Sequence, residues 1–355
     1  MTQRTIAGLE TRLITIPLSR PWAADVREIS TVEVTITTDD GARGIGFSWT
    51  PSIGARAVQA LLDHDIRSFV TGLPADPGSW QRVWEHLHEA GGGGISTIAL
   101  AGLDLALWDL RARSERKPLV ELLGRRHESQ PAYGSGVNLH YSDEDLAEQV
   151  RRWIASGFDA VKIKIGRPDL RDDLRRVALV RELLGSERAL MVDANQRWDL
   201  ERASVAAEAL EPFDIAWLEE PLRADDTVGY VELRRRTSIP LALGENAHTV
   251  YRFRDLIDAG ACDVVQPNIV RVGGITPFLE IVELARDRGM TLAPHLLPEL
   301  SASVALALPE TTWVEDVEDA RFEQLGVLAR PSGLRIERGR ATIADAPVGI
   351  GVEFA

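Results

Sequence analysis

Cysteine is almost absent from this chain of 355 residues: Cys262 is the one thiol, so no disulfide can form within the chain. So low a cysteine content is typical of proteins from a reducing compartment, and we expect a cytoplasmic protein. No apolar run approaches the roughly 18–20 residues of a membrane span, and the first residues lack the apolar core of a signal peptide. We therefore expect no contact with a membrane.

Basic residues are also fewer than acidic ones. The chain has 40 lysine and arginine residues and 54 aspartate and glutamate residues, which gives a net charge of −14. Nucleic-acid binding requires a basic surface, so we expect no nucleic acid as a partner. Neither a P-loop nor a dinucleotide fingerprint surrounds the glycine run from Gly91 to Gly94. This run is expected to be a flexible connection rather than a phosphate-binding loop.

What the sequence does contain is a regular series of acidic residues, each at the end of a short apolar run. Asp193, Glu219 and Glu245 follow one another at steps of 26 residues. That step suits one strand, one helix and two short loops, so the three carboxylates should lie at the C-terminal ends of neighbouring parallel strands. Converging carboxylates repel one another unless a hard cation lies between them. The spacing therefore predicts a divalent metal site.

The same rhythm extends from about residue 130 to residue 315 and predicts an α/β barrel with eight strands. Before it, alternating strands around a turn at Asp39-Asp40-Gly41, followed by helical periodicity, predict an α+β unit. After it, a strand-and-turn pattern is expected to pack back onto the N-terminal unit. We predict a capping domain at 1–125, a barrel at 126–322 and a returning segment at 323–355. The eight expected barrel strands lie at 132–137, 160–165, 189–193, 215–219, 240–245, 263–267, 291–294 and 312–315.

Basic side chains are expected on the same rim of the barrel as the carboxylates. Lys162 and Lys164 are two residues apart on one strand, so both point into the barrel. Two ammonium groups side by side require anions nearby, and a lysine beside a second cation and a metal has a lowered pKa that suits a base. His295 follows the seventh strand on the side opposite the lysines, and Glu315 ends the eighth.

These motifs, taken in order, resemble the enolase superfamily and, within it, the mandelate racemase subgroup (the mandelate racemase/muconate lactonizing enzyme family). The resemblance implies a modified TIM barrel of the (β/α)7β type, with an N-terminal α+β capping domain completed by the C-terminal tail. It also implies a symmetric homo-oligomer, either a dimer or an octamer. The motifs are Lys-x-Lys at 162–164, Trp-Leu-Glu-Glu-Pro at 217–221, Gly-Glu-Asn at 244–246, Gln-Pro-Asn through Gly-Gly-Ile-Thr at 266–276, and IALAGLDLALWDL at 98–110.

The resemblance also implies a chemistry, in which the proton α to a carboxylate is removed through an enediolate while Mg²⁺ stabilises the charge. Asp193, Glu219 and Glu245 would hold the metal. Lys164 would be the base, and Lys162 would contact the carboxylate of a small-molecule substrate. Glu315, when protonated, would donate a hydrogen bond to the other carboxylate oxygen.

One position departs from the pattern, because Asn268 stands where relatives carry an Asp that pairs with the histidine, or a Lys. An asparagine can accept a hydrogen bond from the ring of His295 but cannot stabilise an imidazolium by charge. This disfavours racemisation by two bases and favours dehydration of a hydroxy acid or acid sugar. A racemase or epimerase of a 2-hydroxy acid is the alternative. A non-catalytic barrel that binds metal and an anion, and a metal-dependent hydrolase, rank below both.

Substrate identity is expected to depend on the cap loops, at about 18–30 and 48–54. An arginine there, Arg27, could bind a distal carboxylate of a diacid. The candidate substrate contacts are Trp22, Arg27 and Trp49 in these loops, His140 after the first barrel strand and Asn195 two residues past the first metal ligand.

Overall fold

The computed structural model describes residues 4–23 and 26–355, so the cap loop at 18–30 is described except for Ala24 and Asp25. The N-terminal part contains an antiparallel sheet of order β1-β2-β3. Its hairpin is the one expected at Asp39-Asp40-Gly41, where Gly41 takes a φ of 84° that favours glycine. The three strands are β1 (Ile6–Pro17), β2 (Glu28–Thr38) and β3 (Arg43–Thr50).

Helices cover one face of this sheet, and the longest of them, α4, is buried on nearly every side from Ser96 to Leu110. It lies so close to β3 that a Cβ at Gly46 would come within 2.3 Å of the backbone oxygen of Gly102. Helical periodicity at about 56–70 predicts a helix there, and the structure has one, with a π-helical turn at Leu62–Ile66. The helices of this part are α1 (Ala55–Leu61), α2 (Arg67–Val70), α3 (Trp80–Leu87), α4 (Ile95–Glu115) and α5 (Leu119–Leu122).

Eight parallel strands follow, and the expected α/β barrel is confirmed. Strands β4 to β10 pair in sequence order, and β11 pairs with β4. Between β10 and β11 the hydroxyl of Thr312 donates to the backbone oxygen of Leu292. The strands are β4 (Gln130–Ser135), β5 (Ala160–Lys164), β6 (Ala189–Asp193), β7 (Ile215–Glu219), β8 (Leu241–Leu243), β9 (Val264–Val265), β10 (Thr291–Leu292) and β11 (Val314–Val317).

Seven helices connect the eight strands and complete the (β/α)7β architecture. Side chains such as those of Ser142, Asp169 and Asp199 accept hydrogen bonds from backbone N–H groups of the first turn and fix where the helices begin. None of the helices among the described residues is long and apolar enough to cross a membrane. The helices are α6 (Asp143–Ala155), α7 (Leu170–Leu184), α8 (Leu200–Leu210), α9 (Thr227–Arg236), α10 (Val250–Asp258), α11 (Ile275–Asp287) and α12 (Pro298–Ala305).

An apolar layer inside the barrel lies beneath the polar rim. Side chains alternate along each strand, so the residue two positions after Tyr133, Ala160, Met191 or Trp217 again points inward, toward the C-terminal end. Those residues are Ser135, Lys162, Asp193 and Glu219, and all four are buried. The apolar layer consists of Tyr133, Ala160, Met191, Trp217, Ala242, Val264 and Ala293.

The C-terminal segment contacts both the barrel and the N-terminal sheet. It forms a hairpin of β12 (Leu334–Glu337) and β13 (Arg340–Ile343), and β13 pairs with the first residues of β4, at the end of the barrel away from the rim. Further on, the ring of Phe354 packs edge-on against Phe47 of β3, with the ring centroids 5.6 Å apart. The tail thus fixes one unit against the other.

A buried carboxyl group in α4 joins the cap to the barrel. Asp104 accepts hydrogen bonds from the backbone N–H of Thr276, at 3.0 Å, and from its hydroxyl, at 2.5 Å. Helix α11 has no capping side chain of its own, because Gly274 occupies the N-cap, where a Cβ would lie 2.2 Å from Asp104 Oδ2. Asp104, on a helix of the N-terminal part, therefore accepts the hydrogen bonds that an N-cap residue of the barrel helix α11 would accept. Burial raises the pKa of Asp104 to about 7, although the hydrogen bonds from Thr276 act in the opposite direction.

We predict that Asp104→Ala lowers the free energy of unfolding by about 2–3 kcal/mol, because two donors of Thr276 lose their acceptor. Asp104→Asn should retain most of the stability, since an amide oxygen still accepts. The folded pKa of about 7 lies above the ordinary value of 3.8, so the carboxyl stabilises most below about pH 4 and this contribution is lost as the pH rises through 7. Urea unfolding at pH 5 and pH 8 should therefore show a weaker pH dependence in Asp104→Asn. An unchanged pH dependence would contradict the assignment.

Candidate active site

The three equally spaced carboxylates meet at the C-terminal rim of the barrel. Asp193, Glu219 and Glu245 each place one oxygen within 4.8 Å of the oxygens of the other two. Asp193 and Glu219 end adjacent strands and are paired in register. Glu245 lies beyond the end of β8, after Gly244, whose φ of 140° and contact with the backbone of Gln266 leave no room for a side chain. The expected strand to residue 245 is therefore shorter, but its carboxylate still reaches the cluster.

Basic side chains neutralise this cluster from inside the barrel. Lys162 is fully buried, and its Nζ lies 2.7 Å from Glu219 Oε1 and 2.7 Å from Glu315 Oε1. Lys164 Nζ lies 2.5 Å from Asp193 Oδ2. Both lysines point inward, as the alternation predicts. Four acidic and two ammonium groups leave two negative charges, which is the charge that one divalent cation balances.

The protonation of these groups depends on the local charges. Burial and the neighbouring Lys162 lower the pKa of Lys164, but the Asp193 carboxylate outweighs them, and the pKa is raised above its ordinary value. The pKa of Lys164 would be lowered, as expected, only if a cation competed with Lys164 for the carboxylate of Asp193. Burial raises the pKa of Glu219 to about 7. Glu315 is also buried, but Lys162 and His295 lower its pKa to about 2, so in this arrangement it is ionised rather than protonated as the resemblance implied.

The residues present fit a hard divalent cation. All three candidate ligands offer carboxylate oxygens, the donors that Mg²⁺, Ca²⁺ and Mn²⁺ prefer. Their orientation is fixed by further donors, because Gln266 Nε2 donates to Glu219 at 2.7 Å and the backbone N–H of Asn195 donates to Asp193 at 2.8 Å. Such outer contacts hold metal ligands in place.

A cavity of about 190 Å³ lies over the cluster, and Trp22, Trp49 and Pro51 of the N-terminal part line one side of it. This is smaller than the ~300–1,000 Å³ of most drug-sized ligand pockets and suits a compact substrate. Trp22 and Trp49 line it, as expected. Arg27 and His140 are exposed and do not line it, so the structure does not support them as substrate contacts. The lining residues are Trp22, Trp49, Pro51, Ser135, Val137, Lys164, Asn195, Glu245, Arg271, His295, Leu296, Glu315 and Val317.

His295 and Asn268 form a hydrogen-bonded pair whose direction is opposite to the expected one. The Oδ1 atom of Asn268 accepts from the backbone N–H groups of Val270, at 3.0 Å, and Arg271, at 3.1 Å. Its Nδ2 atom therefore faces His295 Nδ1, at 3.0 Å, and must donate. The ring is thus held with its proton on Nε2, which lies 2.8 Å from Glu245 Oε2. The expectation that Asn268 accepts from the ring was wrong.

This pair makes the Nε2 atom of His295 a donor rather than a base. A second proton on Nδ1 would face the N–H of Asn268, so the asparagine opposes the imidazolium. Burial also opposes the charged ring, but the Glu245 carboxylate outweighs it, and the pKa of His295 is raised. That attraction depends on Glu245 accepting from Nε2. A cation held by Glu245 would weaken this attraction and so favour the neutral ring with its proton on Nε2.

Several residues of the site were not identified from the sequence. Ser135 donates to Glu315 at 2.8 Å, and its position two residues after Tyr133 on an inward-facing strand could have revealed it. Arg271 lines the cavity and lies within the Gln-Pro-Asn segment already noted. Glu220 follows Glu219 directly, so alternation along the strand predicts that its side chain faces outward. It is buried instead, accepts from Asn246 Nδ2 at 2.7 Å, and burial raises its pKa well above the ordinary value.

Comparison with known proteins covers both parts of the chain. Residues 12–124 match the model of the mandelate racemase / muconate lactonizing enzyme N-terminal domain, and residues 145–355 match the enolase C-terminal domain-like model. The chain is 39% identical over 286 residues to 3,6-anhydro-alpha-L-galactonate cycloisomerase of Streptomyces coelicolor, covering 80% of this chain and 79% of that protein. It is 35% identical over 323 residues to L-talarate/galactarate dehydratase of Salmonella typhimurium, covering 90% and 79%.

A solved structure agrees over nearly the whole length. A racemase from Streptomyces coelicolor A3(2), crystallised with bound magnesium, superposes with a TM-score of 0.91 at 36% identity, covering 98% of this chain and 97% of that one. A capped (β/α)7β barrel with acidic and basic groups gathered on its rim defines an enolase-superfamily protein. Within that superfamily, the chain belongs to the mandelate racemase/muconate lactonizing enzyme family.

We predict that Mg²⁺ stabilises the metal-free protein, because a cation that binds only the folded state raises its stability by mass action. At about 100 times the dissociation constant, the melting temperature should rise by roughly 5 °C. Asp193→Asn should remove most of this shift. The control is Glu208→Gln, which removes one negative charge from an exposed position on α8. Equal shifts in both variants, measured by differential scanning calorimetry, would show that Asp193 does not hold the ion.

Proposed function

We propose that this chain is a Mg²⁺-dependent lyase that removes the proton α to the carboxylate of a small hydroxy acid or acid sugar and expels the oxygen at the β carbon. The observation that carries the proposal is the unequal pair facing the cavity. Lys164 is an amine that can act as a base, whereas His295 is held as an Nε2–H donor by Asn268. The relatives named dehydratase and cycloisomerase support the same class of reaction.

Asp193, Glu219 and Glu245 would hold the Mg²⁺ ion, which when bound supplies a Lewis acid for the substrate carboxylate. Glu315 lines the cavity and Lys162 lies beneath it, and both would contact this carboxylate. Lys162 is held in place by two ion pairs, to Glu219 and Glu315. Its positive charge lowers the pKa of Lys164. The donor role of Glu315 stays a prediction, because it requires a proton that Lys162 and His295 disfavour.

Lys164 would take the α-proton. Its Nζ donates a hydrogen bond to Asp193 Oδ2. This contact would be released if the carboxylate bound a cation and the amine lost its proton to solvent. The neutral amine then accepts the proton, and the electron pair of the C–H bond forms the enediolate. This step is common to dehydration, ring opening and racemisation.

His295 would decide which of these reactions follows. The bond from the β carbon to oxygen breaks, and its electron pair goes to the oxygen, to which the Nε2–H of His295 donates a hydrogen bond. Solvent protonates this oxygen, and Lys164 releases the α-proton to solvent, so the neutral ring of His295 keeps its own proton. When that oxygen is a hydroxyl, water leaves and the enol product becomes a 2-keto acid. When it belongs to a ring, the ring opens and no water is lost. Racemisation requires a base on each face of the substrate, and the hydrogen bond from Asn268 occupies the lone pair of His295 Nδ1.

Three further features of the protein are proposed on sequence grounds and on the family. The chain divides into a capping domain at 1–125, a barrel at 126–322 and a returning segment at 323–355. We propose a cytoplasmic location, which the single cysteine supports, and a homo-oligomeric assembly of two or eight chains. Sedimentation of the purified protein would test the assembly.

We predict that Lys164→Ala abolishes exchange of the α-proton with D₂O, with a loss of about 10³-fold or more, because the base is removed. His295→Asn should keep this exchange within about tenfold while 2-keto acid formation falls by about 10²–10⁴-fold. Both are measured by NMR on a library of acid sugars with Mg²⁺. A library that gives epimers and no 2-keto acid or ring-opened product would contradict the proposal.

We predict that Asn268→Asp turns His295 from a donor into a base. A carboxylate at this position still accepts from Val270 N and Arg271 N, and its second oxygen accepts from His295 Nδ1–H, which leaves Nε2 free. The variant should incorporate deuterium on the face of the substrate opposite Lys164 and gain epimerisation. Asn268→Ala is the control, because it removes the donor without adding charge. Epimerisation in both variants would mean that charge at this position is irrelevant.

A further inference from the structure

Arg271 carries a positive charge into the cavity without a direct ion pair to a carboxylate of the described residues, although its charge helps to lower the pKa of Glu245. It lies on the loop between β9 and α11, it lines the cavity with Lys164 and His295, and its guanidinium forms no ion pair with any carboxylate among the described residues. Arg271 is half-buried, so its guanidinium has lost part of its hydration, and an anion entering the cavity would compensate its charge. The guanidinium is therefore a candidate site for an anionic part of the substrate.

Asn246 fixes the position of this guanidinium. Its Nδ2 atom donates to Glu220 Oε2 at 2.7 Å and to Glu245 Oε1 at 2.9 Å, so its Oδ1 atom must face the other way. Arg271 Nη1 donates to that Oδ1 atom at 2.7 Å. This contact with a neutral acceptor orients the side chain without neutralising it. Among the described residues, no other hydrogen bond of the guanidinium forms, which leaves most of its five N–H donors for a ligand.

The backbone of Arg271 is held as firmly as its side chain. Its N–H donates to Asn268 Oδ1 at 3.1 Å, and its carbonyl oxygen lies 3.3 Å from His248 Nδ1. The same asparagine orients His295, so the arginine and the histidine are positioned by one side chain. A planar guanidinium that is fixed in advance matches a carboxylate, which can accept two parallel hydrogen bonds from it.

We propose that Arg271 binds the carboxylate at the far end of a dicarboxylic acid sugar and makes the enzyme selective for diacids over monoacids. The inference rests on the proposed function, since it deepens the substrate class of the same site. The carboxylate that reacts lies against Lys162, Glu315 and the metal ligands at the bottom of the barrel rim. Arg271 lies on the loop beyond the end of β9 and lines the same cavity, so it is placed to meet the other end of a short substrate. Arg27, which the sequence analysis proposed for the distal carboxylate, is exposed and does not line the cavity.

The test compares two six-carbon acids of the same configuration, an aldaric acid with a carboxylate at each end and the aldonic acid with a primary alcohol at one end. With the Mg²⁺-loaded enzyme, the wild type should have a higher kcat/KM for the diacid. Arg271→Gln should lower kcat/KM for the diacid by about 100-fold, chiefly through KM, and change that for the monoacid by less than about threefold. Arg271→Lys should fall between the two, because it keeps the charge but loses the planar pair of donors.

Arg27→Gln is the matched control, since it removes the same charged group from a cap loop and should leave both substrates unchanged. A second measurement is independent of turnover: in the Lys164→Ala background, calorimetry should show that Arg271→Gln weakens binding of the diacid by about 100-fold and that of the monoacid little. Absence of α-proton exchange in the wild type would contradict the proposed function. The binding comparison would still test the role of Arg271. Equal losses for both acids, or a wild-type preference for the monoacid, would overturn the diacid proposal.

Discussion

Repulsion among carboxylates on one rim of the barrel is the constraint on which the rest of the site depends. Asp193, Glu219, Glu245 and Glu315 lie close together, and two of them share the buried ammonium of Lys162. Removing one partner of such a buried pair typically costs about 3–5 kcal/mol, because the remaining charge has no compensation. The lysines therefore keep the rim folded when no cation is bound. In the proposed reaction Lys164 is also the base, so the same side chains would serve charge balance and catalysis.

The chemistry of the opposite face follows from a neutral residue. Asn268 has the shape of an aspartate, and the backbone N–H groups of Val270 and Arg271 fill its one acceptor oxygen. What remains is an N–H pair directed at His295. An amide thus imposes a tautomer on the imidazole that a carboxylate would reverse, while the distances hardly change. The difference between expelling a leaving group and returning a proton to carbon lies in the direction of one hydrogen bond.

Much of this arrangement could be predicted from the sequence, because it follows from periodicity. The step of 26 residues placed Asp193 and Glu219 on adjacent strand ends, and alternation along β5 placed Lys162 and Lys164 inside the barrel. Where the strands end, periodicity no longer applies. Glu220 has a φ of 36° and Asn195 one of 44°, so the alternation that would turn Glu220 outward is broken. Likewise, nothing local distinguishes Arg27 from Arg271, because only the path of each loop in space decides which arginine enters the cavity.

The burial of α4 has a consequence for how substrate enters. A helix that is enclosed by the cap sheet on one side and by the barrel on the other belongs to a single core, and its Asp104 caps a barrel helix. The cap therefore cannot rotate away from the barrel as a rigid body without exposing that core. Opening of the cavity must be local, in the segment that carries Trp22 and in the loop after β3 that carries Pro51. In such an enzyme, the motion of a few loop residues can limit the rate of turnover. Substrate specificity can also change through substitutions in those loops while the interface between the two units stays the same.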